Sequence, residues 1–195
     1  MKKATLINSV LLVTLNFTLL LSAIAQTNYH TQVVDIKLNG TSNIHDWEMK
    51  AVSATSDASF VVENGKIISL SKMKFILPVR NLKSGHRAMD KNTYKAMNTE
   101  SNPNISFELT SATVITEAIN NYKLNCLGKM TIAGVTNQTE LIATGIYDPS
   151  DKSFTITGVK KMKMTDYQVK PPRILLGSIK TGDNISISYN IKFKS

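Results

Sequence analysis

Asn184-Ile-Ser-Ile-Ser-Tyr-Asn-Ile-Lys-Phe193 alternates without a break: Ile185, Ile187, Tyr189, Ile191 and Phe193 fall on one side, Ser186, Ser188, Asn190 and Lys192 on the other. Successive side chains leave a strand on opposite faces, so a period of two with one apolar side marks a half-buried β-strand. The same pattern sets Met73, Phe75, Leu77 and Val79 against Lys72 and Lys74, and Ile105, Phe107 and Leu109 against Ser106 and Glu108. Tyr122, Leu124, Cys126, Met130 and Ile132 form another apolar face, and Phe154, Ile156, Met162 and Met164 a less regular one. Weaker strand signals cover Gln32 to Leu38, Trp47 to Val52, Ala58 to Glu63 and Thr139 to Tyr147. Turns fall at Asn39-Gly40, Asn64-Gly65, Ala133-Gly134 and Thr181-Gly182-Asp183. So many short antiparallel strands must hide their edges, and closing the sheet into a barrel does so. With about eight strands the interior is either packed solid or holds one small ligand, and periodicity does not choose between the two.

From His86 to Asn98 the alternation stops. Ala88, Met89, Tyr94, Ala96 and Met97 stand among polar residues with no Gly or Pro, which predicts a short helix ending before Ser101-Asn102-Pro103.

The first 25 residues read as a secretory signal. Lys2 and Lys3 supply the positive start, the stretch from Leu6 to Leu21 is mostly apolar, and Ala23-Ile24-Ala25 is a small-x-small cleavage site. A retained anchor is the rival reading, but Asn8, Ser9, Thr14, Asn16 and Thr18 interrupt the run. The expected product is one domain over residues 26–195, periplasmic or secreted, with no stable membrane span. Loss of the two lysines lowers the net charge from +9 to +7. The remaining lysines are scattered, apart from Lys160, Lys161 and Lys163, so solvated strand faces explain them better than nucleic acid does.

Cys126 is the only cysteine, so no internal disulfide forms, and its place in an apolar alternation suits a small buried side chain. His30, His45 and His86 lack metal-ligand spacing, and no complete hydrolase, metalloprotease or phosphate-loop motif is present, so no metal or cofactor is expected. His45-Asp46-Trp47 is the most chemical-looking triplet, yet strand neighbours point to opposite faces. As a turn, Asp46 would bond backbone amides, and Trp47 would plug one barrel end with its indole N–H on a polar partner. His86 and Arg87 near the helix start suit an anionic head group, though plain surface exposure accounts for them equally well.

Three segments, in order, resemble the YceI-like family. They are Gly40-Thr-Ser-Asn-Ile-His-Asp-Trp47; Pro78-Val-Arg-Asn-Leu-Lys-Ser-Gly-His86 through Met89–Met97 to Asn102-Pro-Asn-Ile-Ser-Phe107; and Met164-Thr-Asp-Tyr167 with Pro171-Pro172 and Leu176-Gly-Ser-Ile-Lys-Thr-Gly-Asp183. The resemblance implies an exported, eight-stranded antiparallel lipocalin-like barrel with a short helix. It also implies an apolar channel for a polyisoprenoid or similar long-chain lipid, and a binding rather than catalytic role. Where the family's helix carries a more charged, aromatic run, this chain reads Asp90-Lys-Asn-Thr-Tyr-Lys-Ala-Met97.

On pattern alone the inward faces are an ordinary packed core; the resemblance turns them into a ligand wall. The expected wall is Met73, Phe75, Leu77, Phe107, Met130, Phe154, Met162, Ile187 and Tyr189, with Ile105 and Ile191 also inward and His86 and Arg87 near a head group. Adaptable Met side chains suit a flexible chain. The leading expectation is a carrier or scavenger of a long-chain isoprenoid or fatty lipid. The alternatives are a filled structural or interaction barrel, and a hydrolase or isomerase using His45, Asp46 or His86. Oligomeric state is left open, a homodimer included. N-terminal sequencing of exported material should begin at Gln26; recovery only from membranes with Met1 intact would contradict the cleaved-signal reading.

Overall fold

The computed structural model describes residues 26–195. The expected signal segment, residues 1–25, lies outside them. Among the described residues there are eleven strands: β1 (Gln26–Ser42), β2 (Trp47–Ala51), β3 (Thr55–Glu63), β4 (Lys66–Pro78), β5 (Leu82–Lys83), β6 (Asn104–Ala118), β7 (Asn121–Ile132), β8 (Val135–Asp148), β9 (Ser153–Lys163), β10 (Arg173–Ile174) and β11 (Ile179–Lys194). One α-helix, α1 (Arg87–Ala96), separates β5 from β6. Eight of the strands close a barrel in the order β1-β3-β4-β6-β7-β8-β9-β11, with β11 returning antiparallel to β1. The mainly β, eight-stranded barrel with a short helix is therefore the fold the alternation and the resemblance implied. The strands run longer than their sequence signals, because edge pairing extends a ladder into segments with little apolar alternation.

Closure sets which side chains face in. Ile36↔Tyr189 and Leu38↔Ile187 across β1 and β11, and Phe75↔Phe107 and Phe107↔Met130 across β4, β6 and β7, share the interior face. Several inward rings lie flat over a glycine of the neighbouring strand: a Cβ on Gly40, Gly128, Gly145 or Gly158 would overlap Trp47, Phe107, Phe154 or Tyr189 respectively. A ring spanning its missing neighbour fills a narrow barrel without pushing the strands apart.

The two ends of the barrel differ. At the end bearing the Asn64-Gly65 turn, Phe60 lies at the centre of an edge-to-face cluster, 5.2 Å from Tyr29, 4.7 Å from Phe154 and 6.3 Å from Phe193. Tyr122 completes the cluster at 5.9 Å from Phe154, and its hydroxyl accepts the Ile67 N–H at 3.1 Å. These rings are essentially inaccessible to solvent and seal that end.

At the other end the wall opens. β8 and β9 pair from Asp148↔Ser153 to Ala143↔Gly158 and then part. A 3-10 turn, Met164–Tyr167, fills the breach: Tyr167 Oη lies 3.0 Å from Thr139 Oγ1, and Asn137 Nδ2 donates to the Asp166 carbonyl at 2.7 Å. Helix α1 lies across the opening, held where the Tyr94 hydroxyl meets the Leu82 carbonyl at 2.9 Å and takes the Lys83 ammonium at 2.9 Å.

This asymmetry predicts unequal costs in urea unfolding. Phe60→Ala, in the sealed end, should lose about 3–5 kcal/mol, whereas Met162→Ala, half-buried near the opening, should lose about 1 kcal/mol. Equal losses would contradict a barrel packed at one end only.

Candidate ligand-binding site

Between the aromatic seal and helix α1 the barrel holds two adjoining cavities. The outer has a volume of about 440 Å³ and the inner about 110 Å³. Leu38, Leu82, Ile105, Ile132 and Ile187 line both, so the two share an aliphatic neck. The outer volume lies in the range of small-molecule sites, about 300–1,000 Å³.

Each part of the wall has a local cause. Period two turns Ile36, Met73, Phe75, Leu77, Phe107, Met130, Tyr189 and Ile191 onto the inner cavity. Helical spacing turns Met89, Asn92, Thr93 and Ala96 of α1 onto the outer one, at i, i+3, i+4 and i+7. Beneath the helix, Thr93 Oγ1 donates to Met49 Sδ at 3.4 Å. The irregular stretch after β9 adds Met164, Tyr167, Val169 and Pro172.

The nine expected wall residues are not all in one place. Met73, Phe75, Leu77, Phe107, Met130 and Tyr189 border the inner cavity, Met162 the outer, and Ile187 both. Phe154 is inward but belongs to the aromatic seal, below the cavities. His86 precedes the first helical residue and borders the outer cavity; Arg87 is exposed and off its wall. Sequence reasoning missed Tyr167, Val169, Pro172, Ile174 and Ile179. They come from segments without clear periodicity; the available signals were the third family-like segment, which contains Tyr167, Pro172 and Ile179, and the apolar residues around Pro171-Pro172.

Polar groups inside are few and mostly engaged. Lys160, opposite Ile187, lays its stem on the inner wall while Nζ donates to the Glu140 carbonyl at 2.9 Å, across the gap between β8 and β9. The Tyr189 hydroxyl donates to the Ile142 carbonyl at 3.3 Å. Burial, with a smaller contribution from Cys126, pushes its pKa from 10.0 up to about 12. Burial likewise raises the Cys126 thiol to about 11, which keeps it an unreactive thiol at neutral pH.

The His45-Asp46-Trp47 triplet is a turn. Ser42, rather than Asp46, organises it: its Oγ accepts the N–H groups of Ile44 and His45 at 3.2 and 3.1 Å and donates to the His45 carbonyl at 2.7 Å. The His45 ring donates from Nδ1 to the Asp46 carbonyl at 2.7 Å, so imidazole and carboxylate are not paired. Trp47 sits at the cavity mouth, its indole N–H donating to the Thr41 carbonyl at 3.0 Å, as expected of a plug. The His–Asp contact that does form, His30 Nδ1 to Asp57 Oδ1 at 2.6 Å, lies on the exposed outer surface. Among the described residues no cluster of His, Cys, Asp or Glu suits a metal ion.

The family model for the YceI-like domain matches residues 22–193. The chain belongs to the YceI-like domain family. Solved structures share its fold. Burkholderia cenocepacia BcnA has 14% identity and a TM-score of 0.65, covering 82% of this chain and 95% of its own. A polyisoprenoid binding domain from Saccharophagus degradans, implicated in plant cell wall breakdown, has 6% identity and a TM-score of 0.66, covering 88% and 99%. A mutant Campylobacter jejuni YceI protein with a monobromobimane guest has 14% identity and a TM-score of 0.54, covering 74% and 85%. No curated protein matches the chain.

Buried acids in this YceI-like barrel link stability to pH. Tyr189, and Tyr29 in the seal, are both raised to about 12, Tyr29 by burial and then by Tyr147. A raised phenol favours the fold fully below its ordinary pKa and loses that contribution as pH climbs through the folded value. With the Cys126 thiol raised from 9.0 to about 11 as well, stability should fall from about pH 9 to 12, and less steeply above about pH 10 in Tyr189→Phe. Urea midpoints across that range check this; identical slopes in wild type and variant would contradict it.

Proposed function

We propose that the protein is a carrier or scavenger that holds a long-chain amphiphile, a polyisoprenoid or similar lipid, in the barrel channel without covalent chemistry. The observation that carries this reading is the pair of adjoining apolar cavities inside a barrel whose other end is packed shut. Ordinary cores leave few voids larger than a water molecule. An apolar tail entering past Trp47 and helix α1 would run through the neck at Ile187 and stop at the aromatic seal. The expected wall residues, Phe154 excepted, would contact it, and His86 would stand near the polar end, with Arg87 outside.

The binding described by name for the Saccharophagus degradans domain, together with the shared fold, supports the same class of ligand here. Export is part of the same proposal: with residues 1–25 removed at Ala25, residues 26–195 would act as one domain in the periplasm or outside the cell. No helix among the described residues is long and apolar enough to cross a membrane.

Trp47, the single tryptophan, reports on the mouth. Titrating a long-chain isoprenoid or fatty lipid into the protein should change its fluorescence saturably. Each buried CH₂ contributes about 0.8 kcal/mol before binding costs, so affinity should rise with chain length until the channel is full. His86→Ala should weaken binding by less than about tenfold, while Ile187→Lys should abolish it by placing a charge in the neck. Absence of saturable binding by folded wild type, or full retention in a folded Ile187→Lys variant, would overturn the reading.

A further inference from the structure

Large apolar side chains project into solvent at several places on the barrel, and two of them, Leu176 and Ile44, stand at the end that opens the channel. Leu176 is fully exposed at the tip of the β10–β11 hairpin, and Ile44, 59% exposed, tops the β1–β2 turn. The two tips are tied together by Asn43. Its Nδ2 donates to the Ser178 carbonyl at 2.9 Å, its Oδ1 accepts the Lys180 N–H at 2.8 Å, and its own N–H donates to the Lys180 carbonyl at 3.1 Å. They form one edge of the mouth rather than two independent loops. Ile174 and Ile179, paired next to the hairpin tip, carry this apolar surface onto the cavity wall.

The flanking charge is mainly positive. Arg173 and Lys180 are the other cross-strand pair of the hairpin, and Lys163 borders the cavity; all three are exposed, and among the described residues none forms an ion pair. Three of the nearby acids are engaged, and Asp46, exposed beside Ile44, is the one acid of this edge with no side-chain hydrogen bond or ion pair among the described residues. Asp166 accepts the Lys163 N–H, Asp183 accepts the Thr165 N–H and hydroxyl, and Glu48 pairs with Lys50.

We propose that this edge docks the barrel, mouth first, on an anionic phospholipid bilayer. Leu176 and Ile44 enter the acyl boundary while Arg173 and Lys180 lie at the level of the phosphates. Apolar side chains on one hydrogen-bonded edge with cations beside them are what interfacial binding requires. The purpose of the docking rests on the lipid-holding reading: a ligand insoluble in water has to pass between a membrane and the channel. Its geometry does not depend on that reading.

The test is flotation of the protein with vesicles of phosphatidylcholine and phosphatidylglycerol in equal parts, and with pure phosphatidylcholine vesicles. Wild type should float with the anionic vesicles, and high salt should release it. Leu176→Asp, and the double variant Arg173→Glu with Lys180→Glu, should each weaken binding at least about tenfold. Ile119→Asp, which changes an equally exposed apolar residue at the sealed end, should leave it unchanged. Retained Trp47 response to a soluble long-chain ligand shows that the variants fold and separates loss of docking from loss of ligand binding. Absence of flotation, equal flotation on both vesicles, or equal loss in Ile119→Asp would overturn the proposal. So would a dimer of the wild type that Leu176→Asp dissociates, which would place a second copy of the chain on this edge.

Discussion

A β-strand with an open edge presents a row of unpaired N–H and C=O groups, and the only complete remedy within one chain is to bring the last edge back to the first. Here that remedy is the β1–β11 ladder, from His30↔Lys194 to Ser42↔Thr181. Pairing the two ends of the domain fixes the barrel circumference, which fixes the interior width and so the volume available to side chains or a guest. β1 also turns from β3 onto β2 along its length, with β5 beyond, so the barrel flares toward the mouth. The parting of β8 from β9 flares it further.

Given that width, the side chains decide where space remains. Five aromatic rings meeting edge to face fill one end; aliphatic and thioether side chains line the other without filling it. Glycines beneath Phe107 and Tyr189 let those rings lie flat against the wall, which leaves room on the axis. The cavity is therefore a product of strand splay, ring placement and a helix laid across the top, rather than a missing core. Its floor is rigid, and its roof rests on a few hydrogen bonds from Tyr94, Thr93 and Ser84.

The alternation of β11, β4, β6 and β7 made most of the inward set legible, because period two states which face a residue takes. It does not state height along the barrel axis. Phe154 and Phe107 carry the same signal, yet one belongs to the seal and the other to a cavity. The helix was legible as a break in alternation, and its observed core, Arg87–Ala96, falls within the expected span. The mouth was not legible: Tyr167, Val169 and Ile174 reach it through 3-10 and extended segments whose direction depends on the breach between β8 and β9. The turn expected at His45 is present, but its organising residue is Ser42, because a hydroxyl can both donate and accept in one tight turn whereas a carboxylate only accepts.

A channel closed at one end, apolar along its wall and open beneath a helix should retain a long-chain guest through a gentle purification. Native mass spectrometry of the protein isolated without detergent, followed by analysis of its organic extract, tests this most directly. The account predicts one long-chain apolar lipid bound per barrel. Bare protein mass after detergent-free isolation, with no long-chain lipid in the extract and none taken up on re-addition, would contradict it.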